Sequence, residues 1–145
     1  FMGETLFAGY HFRSDIHSHR ELAKILNIQV LSLELVDRRF YHLDTCFSPL
    51  KEGMAFYYPG AFDSYARKVL SAHIPDLIEV SEKEALRFAC NAAVMGPHVI
   101  LNVGCPRIGK ELEKRGFKVH ATETSEFMKA GGSAQCLTLY IDFPT

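Results

Sequence analysis

Two spacings of apolar residues alternate along this chain: a period near two, which marks strands, and one near 3.6, which marks amphipathic helices. Residues 5–9 (Thr-Leu-Phe-Ala-Gly) read as a short strand, and residues 17–26 as a helix with Leu22, Ile25 and Leu26 on one side. Residues 28–36, with Ile28, Val30, Leu31, Leu33 and Leu35, read as a strand. Two more strands, 42–49 and 54–58, flank Lys51-Glu52-Gly53, a hairpin turn. A helix over 62–72 follows Pro59-Gly60 and turns Tyr65, Val69 and Leu70 inward. A strand at 77–80 leads to Ser81-Glu82-Lys83-Glu84, whose capping-box form predicts a helix over 82–88. Strands at 92–95 and 98–101 turn at Gly96-Pro97, and a helix over 107–115 stops at Gly116. A strand at 117–121, one helical turn over 125–129 and a closing strand over 135–143 complete the pattern.

End to end this is strand-strand-helix-strand with a short helical connector, then the same again. The opening strand of each unit begins near Leu43, Asn91 and Gln135, starts roughly 45 residues apart, as in repeat architectures. Such units cannot bury their faces alone and pack around a common axis. About three units are expected, the first entered part-way, in one domain spanning residues 1–145 with no linker or low-complexity segment.

At 145 residues the chain is long enough for one cored domain and too short for two ordinary ones. Its net charge of −1, with both signs interspersed, offers no basic stripe for nucleic acid and no charged tail for a membrane surface. No apolar run reaches membrane-spanning length, and the N-terminus lacks a signal-peptide pattern. The chain begins at Phe1 instead of an initiator Met, as expected of a processed product or a fragment. Cys46, Cys90, Cys105 and Cys136 form no Cys-x-x-Cys pair, which argues against a zinc knuckle or a thioredoxin motif. Without a secretory signal, reduced thiols and a cytoplasmic location are expected.

The candidate chemistry lies in two stretches, Gly131-Gly132-Ser133-Ala134-Gln135-Cys136 and His42-Leu43-Asp44. A cysteine is a nucleophile only as thiolate, and an imidazole is one of the few groups that produces it near neutral pH. The pairing suggests covalent cysteine catalysis. Each residue also has an ordinary reading: a buried strand cysteine, a histidine bonded to backbone, an aspartate capping a turn. Cys46, Cys90 and Cys105 read as small core hydrophobes, Phe56-Tyr57-Tyr58 as core strand, and His17 and His19 as a solvated helix face. Gly109-Lys110 lacks the spacing of a phosphate loop.

Four ordered segments carry a resemblance: His42-Leu43-Asp44-Thr45; Tyr57-Tyr58-Pro59-Gly60-Ala61-Phe62; Phe88-Ala89-Cys90-Asn91-Ala92; and Ser125-Glu126-Phe127 through Gly131-Gly132-Ser133 to Cys136-Leu137-Thr138. Together they resemble the guanidine-modifying enzymes (amidinotransferases, arginine deiminases, dimethylarginine dimethylaminohydrolases and arginine dihydrolases), closest to the bacterial dihydrolase or dimethylargininase type. The similarity runs from about Thr5 to Asp142 and corresponds to the C-terminal half of such enzymes.

The resemblance implies an α/β fold, a partial pentein-like propeller of about three ββαβ modules. It implies Cys136 as the nucleophile, forming a thiouronium-type intermediate on a guanidinium carbon, with His42 as general acid/base. Asp44 would hold the guanidinium, a planar fork of donors that a carboxylate matches bidentately. Arg13 would bind the substrate's α-carboxylate, and the backbone of Ala130, Gly131, Gly132 and Ser133 would line the pocket. Asn91 occupies a motif position and receives no role. The expected partner is a small-molecule substrate, arginine or a derivative, with no metal or organic cofactor.

The family's second catalytic carboxylate, in a Gly-Asp stretch upstream of the histidine, has no match here. A separate N-terminal half or association between copies is therefore expected. Three functions remain open: a hydrolase, an amidinotransferase, and a truncated non-catalytic module.

Overall fold

Three small sheets follow one another along the chain, each wrapped by its own helix. The computed structural model describes residues 1–141. Strand β1 (Thr5–Tyr10), helix α1 (Ile16–Leu26) and strand β2 (Gln29–Glu34) form a parallel two-stranded unit. Strands β3 (Phe47–Lys51) and β4 (Met54–Tyr57) make a hairpin, and helix α2 (Ser64–His73) returns the chain to β5 (Asp76–Glu79), parallel to β4. After the short helix α3 (Glu82–Ala85) the arrangement repeats in β6 (Ala93–Met95), β7 (His98–Asn102), α4 (Pro106–Lys114) and β8 (Lys118–Thr122). A last turn of helix, α5 (Ser125–Met128), precedes the cysteine segment. The expected repeat is present as two complete ββαβ modules behind a βαβ unit.

Local chemistry accounts for most boundaries. Asp15 caps α1 by accepting from the His17 N–H, and Asn27 ends that helix in the left-handed region with φ 50°. Asp63 caps α2 through the N–H groups of Tyr65 and Ala66, so the helix begins two residues later than Pro59-Gly60 suggests. Pro49 is tolerated in β3 because that strand is the sheet edge, where the missing N–H costs no ladder bond.

The Ser81 hydroxyl accepts from the Glu84 N–H, the capping box that the sequence predicts. Glu84 then reaches into the next module. Its Oε1 accepts from the N–H groups of Arg107 (2.7 Å) and Ile108 (3.3 Å), capping α4 where Cys105 offers no side-chain bond. The two modules are further joined by Arg115, whose guanidinium donates to both oxygens of Asp76. The core runs through all three units, with Leu33 and Leu35, Phe56, Leu70 and Ile74, and Val99, Leu101, Ile108 and Leu112 fully buried.

Several sequence expectations are corrected. Tyr65 is exposed, because the buried stripe of α2 is Ala66 and Leu70, one helical turn apart. Leu22, Ile25 and Leu26 also face outward, Ile25 at 76% exposure. A two-stranded sheet is too narrow to cover the whole apolar side of α1. The residue of α1 that turns inward is His19, expected on the solvated face. Its Nδ1 lies 2.8 Å from the Ser32 hydroxyl, and burial lowers its pKa. Helix α3 ends at Ala85, three residues short of expectation.

The strand expected over 42–49 is a 3₁₀ turn, Leu43–Thr45, followed by β3. The strand expected over 135–143 is a second 3₁₀ turn, Gln135–Leu137, with irregular chain beyond it to Ile141. Among the described residues no strand lies beside 138–141 to provide ladder bonds; the Tyr140 hydroxyl donates to the Val94 carbonyl, and Thr138 bonds back to Gln135 and Ala134. The last two residues of that expected strand lie outside the described residues. Among the described residues, no helix is long and apolar enough to cross a membrane.

Candidate active site

The two 3₁₀ turns are the same local device used at equivalent places in two repeats, and each carries one reactive residue at its centre. Asp44 is the middle residue of Leu43–Thr45, and Cys136 the middle residue of Gln135–Leu137. His42 and Asp44 therefore do not share a strand face. His42 is the extended residue before the turn, and Asp44 lies within it. The turn is held by the His42 carbonyl, which accepts from the Thr45 N–H at 3.1 Å and the Thr45 hydroxyl at 2.6 Å.

Packing the repeats around one axis brings these turns together across 92 residues of sequence, with the Cys136 Sγ 3.5 Å from Asp44 Oδ2. Between them, fully buried, stands Asn91. Its Nδ2 donates to Asp44 Oδ2 at 3.0 Å, to the Asp44 carbonyl at 3.2 Å and to Cys136 Sγ at 3.2 Å. Its Oδ1 accepts from the Ser133 N–H at 2.6 Å and the Cys136 N–H at 3.3 Å. The motif in the sequence assigns Asn91 no role. The available signal was the repeat period, since Asn91 lies 47 residues from Asp44 and 45 from Cys136.

The cysteine segment is braced from behind by a second buried network. The Ser133 hydroxyl pairs with Thr124 Oγ1 at 2.8 Å, Thr124 donates to Asn102 Oδ1, and Asn102 donates to the Arg87 carbonyl. Ser133 is thus fully buried, while Gly131 and Gly132 are half-buried and Ala130 is exposed. Both glycines are required sterically. Gly131 has φ 93°, and its carbonyl accepts from the Tyr41 hydroxyl at 2.7 Å, so a side chain there would run into that hydroxyl. A methyl on Gly132 would come within 2.6 Å of Cys136 Cβ and 2.8 Å of Sγ.

The remaining candidates lie around this centre. His42 is exposed, stacks edge-on to Tyr41 at 4.9 Å, and lines a cavity of about 400 Å³ with Asp44, Gly9, Tyr10 and Tyr41. No hydrogen bond joins its imidazole to Cys136 among the described residues. Arg13 is also exposed, its guanidinium 5.3 Å from the centre of the Tyr41 ring. Tyr41 thereby links Arg13, His42 and the Gly131 turn.

Burial is the main cause that pushes the Cys136 thiol above its ordinary pKa. The Asn91 amide pulls it down, and the Asp44 carboxylate pushes it up again. The other three thiols are buried and sit higher still, Cys105 at about 11, in line with their reading as core residues. Among the described residues no group of three or more His, Cys, Asp and Glu is placed to hold a metal ion.

No protein-family model matches the sequence. Over 144 residues the chain is 48% identical to the bifunctional arginine dihydrolase/ornithine cyclodeaminase ArgZ of Synechocystis, covering 98% of this chain and 20% of that protein. Over 140 residues it is 44% identical to the N(G),N(G)-dimethylarginine dimethylaminohydrolase of Mycobacterium tuberculosis, covering 97% of this chain and 46% of that protein. The chain thus spans about half the length of the latter and a fifth of the former.

Among solved structures, the N-terminal domain of ArgZ bound to product superimposes with a TM-score of 0.91 at 49% identity, over 94% of this chain and 51% of that one. Dimethylarginine dimethylaminohydrolase of Pseudomonas aeruginosa, in complex with citrulline, matches at a TM-score of 0.75 and 23% identity, over 91% and 50% of the two chains, a likeness of fold. Over the length it has, the chain is a homologue of the arginine dihydrolases and dimethylarginine dimethylaminohydrolases, and it is built on their α/β propeller fold.

Proposed function

We propose that this chain carries the nucleophile-bearing part of a hydrolase acting on the guanidinium of arginine or a methylated arginine. One observation carries the reading: a cysteine and a carboxylate from turns 92 residues apart meet at 3.5 Å, beneath a glycine pair that admits no side chain. A relative's N-terminal domain, that of ArgZ, has been solved covalently bound to a reaction intermediate, which supports a covalent route here.

In this reading the substrate guanidinium pairs with Asp44 and cancels the negative charge that, together with burial, keeps the Cys136 thiol protonated. The thiol proton leaves to solvent, and the thiolate adds to the guanidinium carbon. The carbon–nitrogen bond breaks as His42 gives its proton to the departing amine, ammonia from arginine or dimethylamine from the methylated substrate. Water then adds to the thiouronium carbon, giving a proton to His42. Cleavage of the carbon–sulfur bond returns the cysteine and leaves a ureido product.

Arg13, stacked over Tyr41, takes the substrate's α-carboxylate, and in this reading the main chain of residues 130–132 lines the substrate's place beside Cys136. Ser133 serves from behind through its bonds to Thr124 and Asn91. The second carboxylate of the family's pattern comes in this reading from a further part of the propeller, and the outward apolar side of α1 supports a covering neighbour.

The test is to incubate the full chain with arginine and with dimethylarginine and to follow ammonia, dimethylamine, citrulline and ornithine, beside a Cys136→Ala variant. Turnover lost in the variant supports the proposal. Turnover that survives it, or a wild-type protein that turns over no guanidino compound and whose Cys136 takes up chloroacetamidine no faster than its buried cysteines, sinks it. Transfer of the amidino group to an added amine would instead select the amidinotransferase alternative.

A further inference from the structure

We infer that Asn91 is a positioning residue for the nucleophile: it orients the Cys136 sulfur against Asp44 and provides the hydrogen bond that the thiolate accepts. The inference rests on Cys136 as the nucleophile of the proposed reaction. Nothing in the residue type points to it, since asparagine neither titrates nor attacks. The geometry around it does.

The orientation of the Asn91 amide is forced. Its Oδ1 faces two backbone donors of the cysteine segment, Ser133 N–H at 2.6 Å and Cys136 N–H at 3.3 Å. Exchanging the amide's oxygen and nitrogen would set an NH₂ group against two N–H groups in a fully buried place. Nδ2 therefore has to point the other way, toward Asp44 and the sulfur. There its two hydrogens meet three acceptors: the Asp44 carbonyl, Asp44 Oδ2 and Cys136 Sγ, at 3.2, 3.0 and 3.2 Å.

A thiol is a weak acceptor, whereas a thiolate is an anion that binds N–H donors roughly twice as strongly as a neutral group does. While Cys136 is a thiol, its own S–H can donate to Asp44 Oδ2 across 3.5 Å, and Asn91 spends its hydrogens on Asp44. Once the proton has left, and the guanidinium has taken over Asp44, the Nδ2 hydrogens are free for the sulfur with no heavy atom needing to move. A donor fixed in advance where charge develops costs no reorganisation at the moment of reaction.

Asn91 is itself held rigidly. Its N–H donates to the Phe88 carbonyl at 3.0 Å and its carbonyl accepts from Gln135 N–H at 3.0 Å. Phe88, a bulky residue, adopts the left-handed region with φ 58° to make that turn. The Asn102–Thr124–Ser133 network closes the loop from the other side.

The decisive measurement is the pH dependence of Cys136 alkylation by iodoacetamide in the full chain. It is read by mass spectrometry from about pH 6 to pH 11 for the wild type, Asn91→Asp and Asn91→Ser. Asn91→Asp keeps acceptors for the Ser133 and Cys136 N–H groups but removes the donor and adds a charge. Asn91→Ser removes the donor without adding charge. The midpoint should rise by about one to two pH units in Asn91→Asp and by less in Asn91→Ser. Below the midpoints each unit slows alkylation about tenfold, and above them the three rates should converge.

A brace with no electrostatic part would leave the midpoint where it is, and an unchanged midpoint in both variants overturns the inference. So does labelling of the buried Cys46, Cys90 and Cys105 in both variants, which would reveal unfolding and assign Asn91 to the framework alone. Arginine turnover that survives Cys136→Ala counts against the hydrolase reading and leaves these midpoints as they are.

Discussion

Gly132→Ala perturbs the site by one methyl group whose consequences follow from distances. The new carbon would stand 2.6 Å from Cys136 Cβ and 2.8 Å from its Sγ, short of ordinary contact by about 0.6–0.8 Å. Unlike Gly131, Gly132 does not have a positive φ, so alanine fits its backbone and the collision alone carries the effect. The turn around Cys136 cannot yield freely, because the Ser133 and Cys136 N–H groups are held by Asn91 and the Ser133 hydroxyl by Thr124.

Overpacking of this kind costs about 1–3 kcal/mol. A reacting atom displaced by ~1 Å costs about a hundredfold in rate. The expected result is a melting temperature lower by about 4–8 °C and alkylation of Cys136 by chloroacetamidine slower by about two orders of magnitude. The assay compares adduct formation in the variant and the wild type by whole-protein mass spectrometry, with arginine as competitor. Labelling at the wild-type rate, still slowed by arginine, would refute the argument that Gly132 is required to seat the sulfur.

Three other outcomes are expected. Asp44→Asn should lower the Cys136 pKa and speed alkylation by neutral iodoacetamide at neutral pH, while abolishing arginine protection against chloroacetamidine. Glu84→Ala should destabilise by about 2 kcal/mol in urea unfolding, because it removes the cap of α4 and leaves the buried Ile108 N–H and the part-buried Arg107 N–H without their acceptor. Glu84→Gln should cost about 1 kcal/mol. Alkaline pH should destabilise the fold through Cys105. Its folded pKa is raised to about 11, so its contribution is intact below the unfolded value near 9 and is lost as pH climbs through 11. The loss is roughly 3 kcal/mol at most, and Cys105→Ala should flatten that part of the melting profile.

Features that depend on near neighbours are legible along the chain. Apolar spacing located the strands and helices of both complete modules, because burial of one face imposes its period whatever lies opposite. The capping box at Ser81 and the hairpin turn at Lys51-Glu52-Gly53 were legible because each is settled within a few residues. Repetition of the units, and the cysteine behind a Gly-Gly pair, were legible for the same reason.

Tertiary structure decided what depends on residues brought from afar. His42 and Asp44 read as a strand, yet His42 precedes a 3₁₀ turn and Asp44 lies within it, and packing between repeats sets the position of that turn. His19 reads as solvent-facing, but β2 provides Ser32 opposite it, while Leu22, Ile25 and Leu26 of the same helix are exposed. Glu84 is half of a capping box in sequence, and only the fold makes it also the cap of a helix in the next module. Asn91 shows the limit most clearly. Its partners lie 42 to 47 residues away on two different modules, so no local pattern encodes its task, and the meeting of three repeats on one axis does.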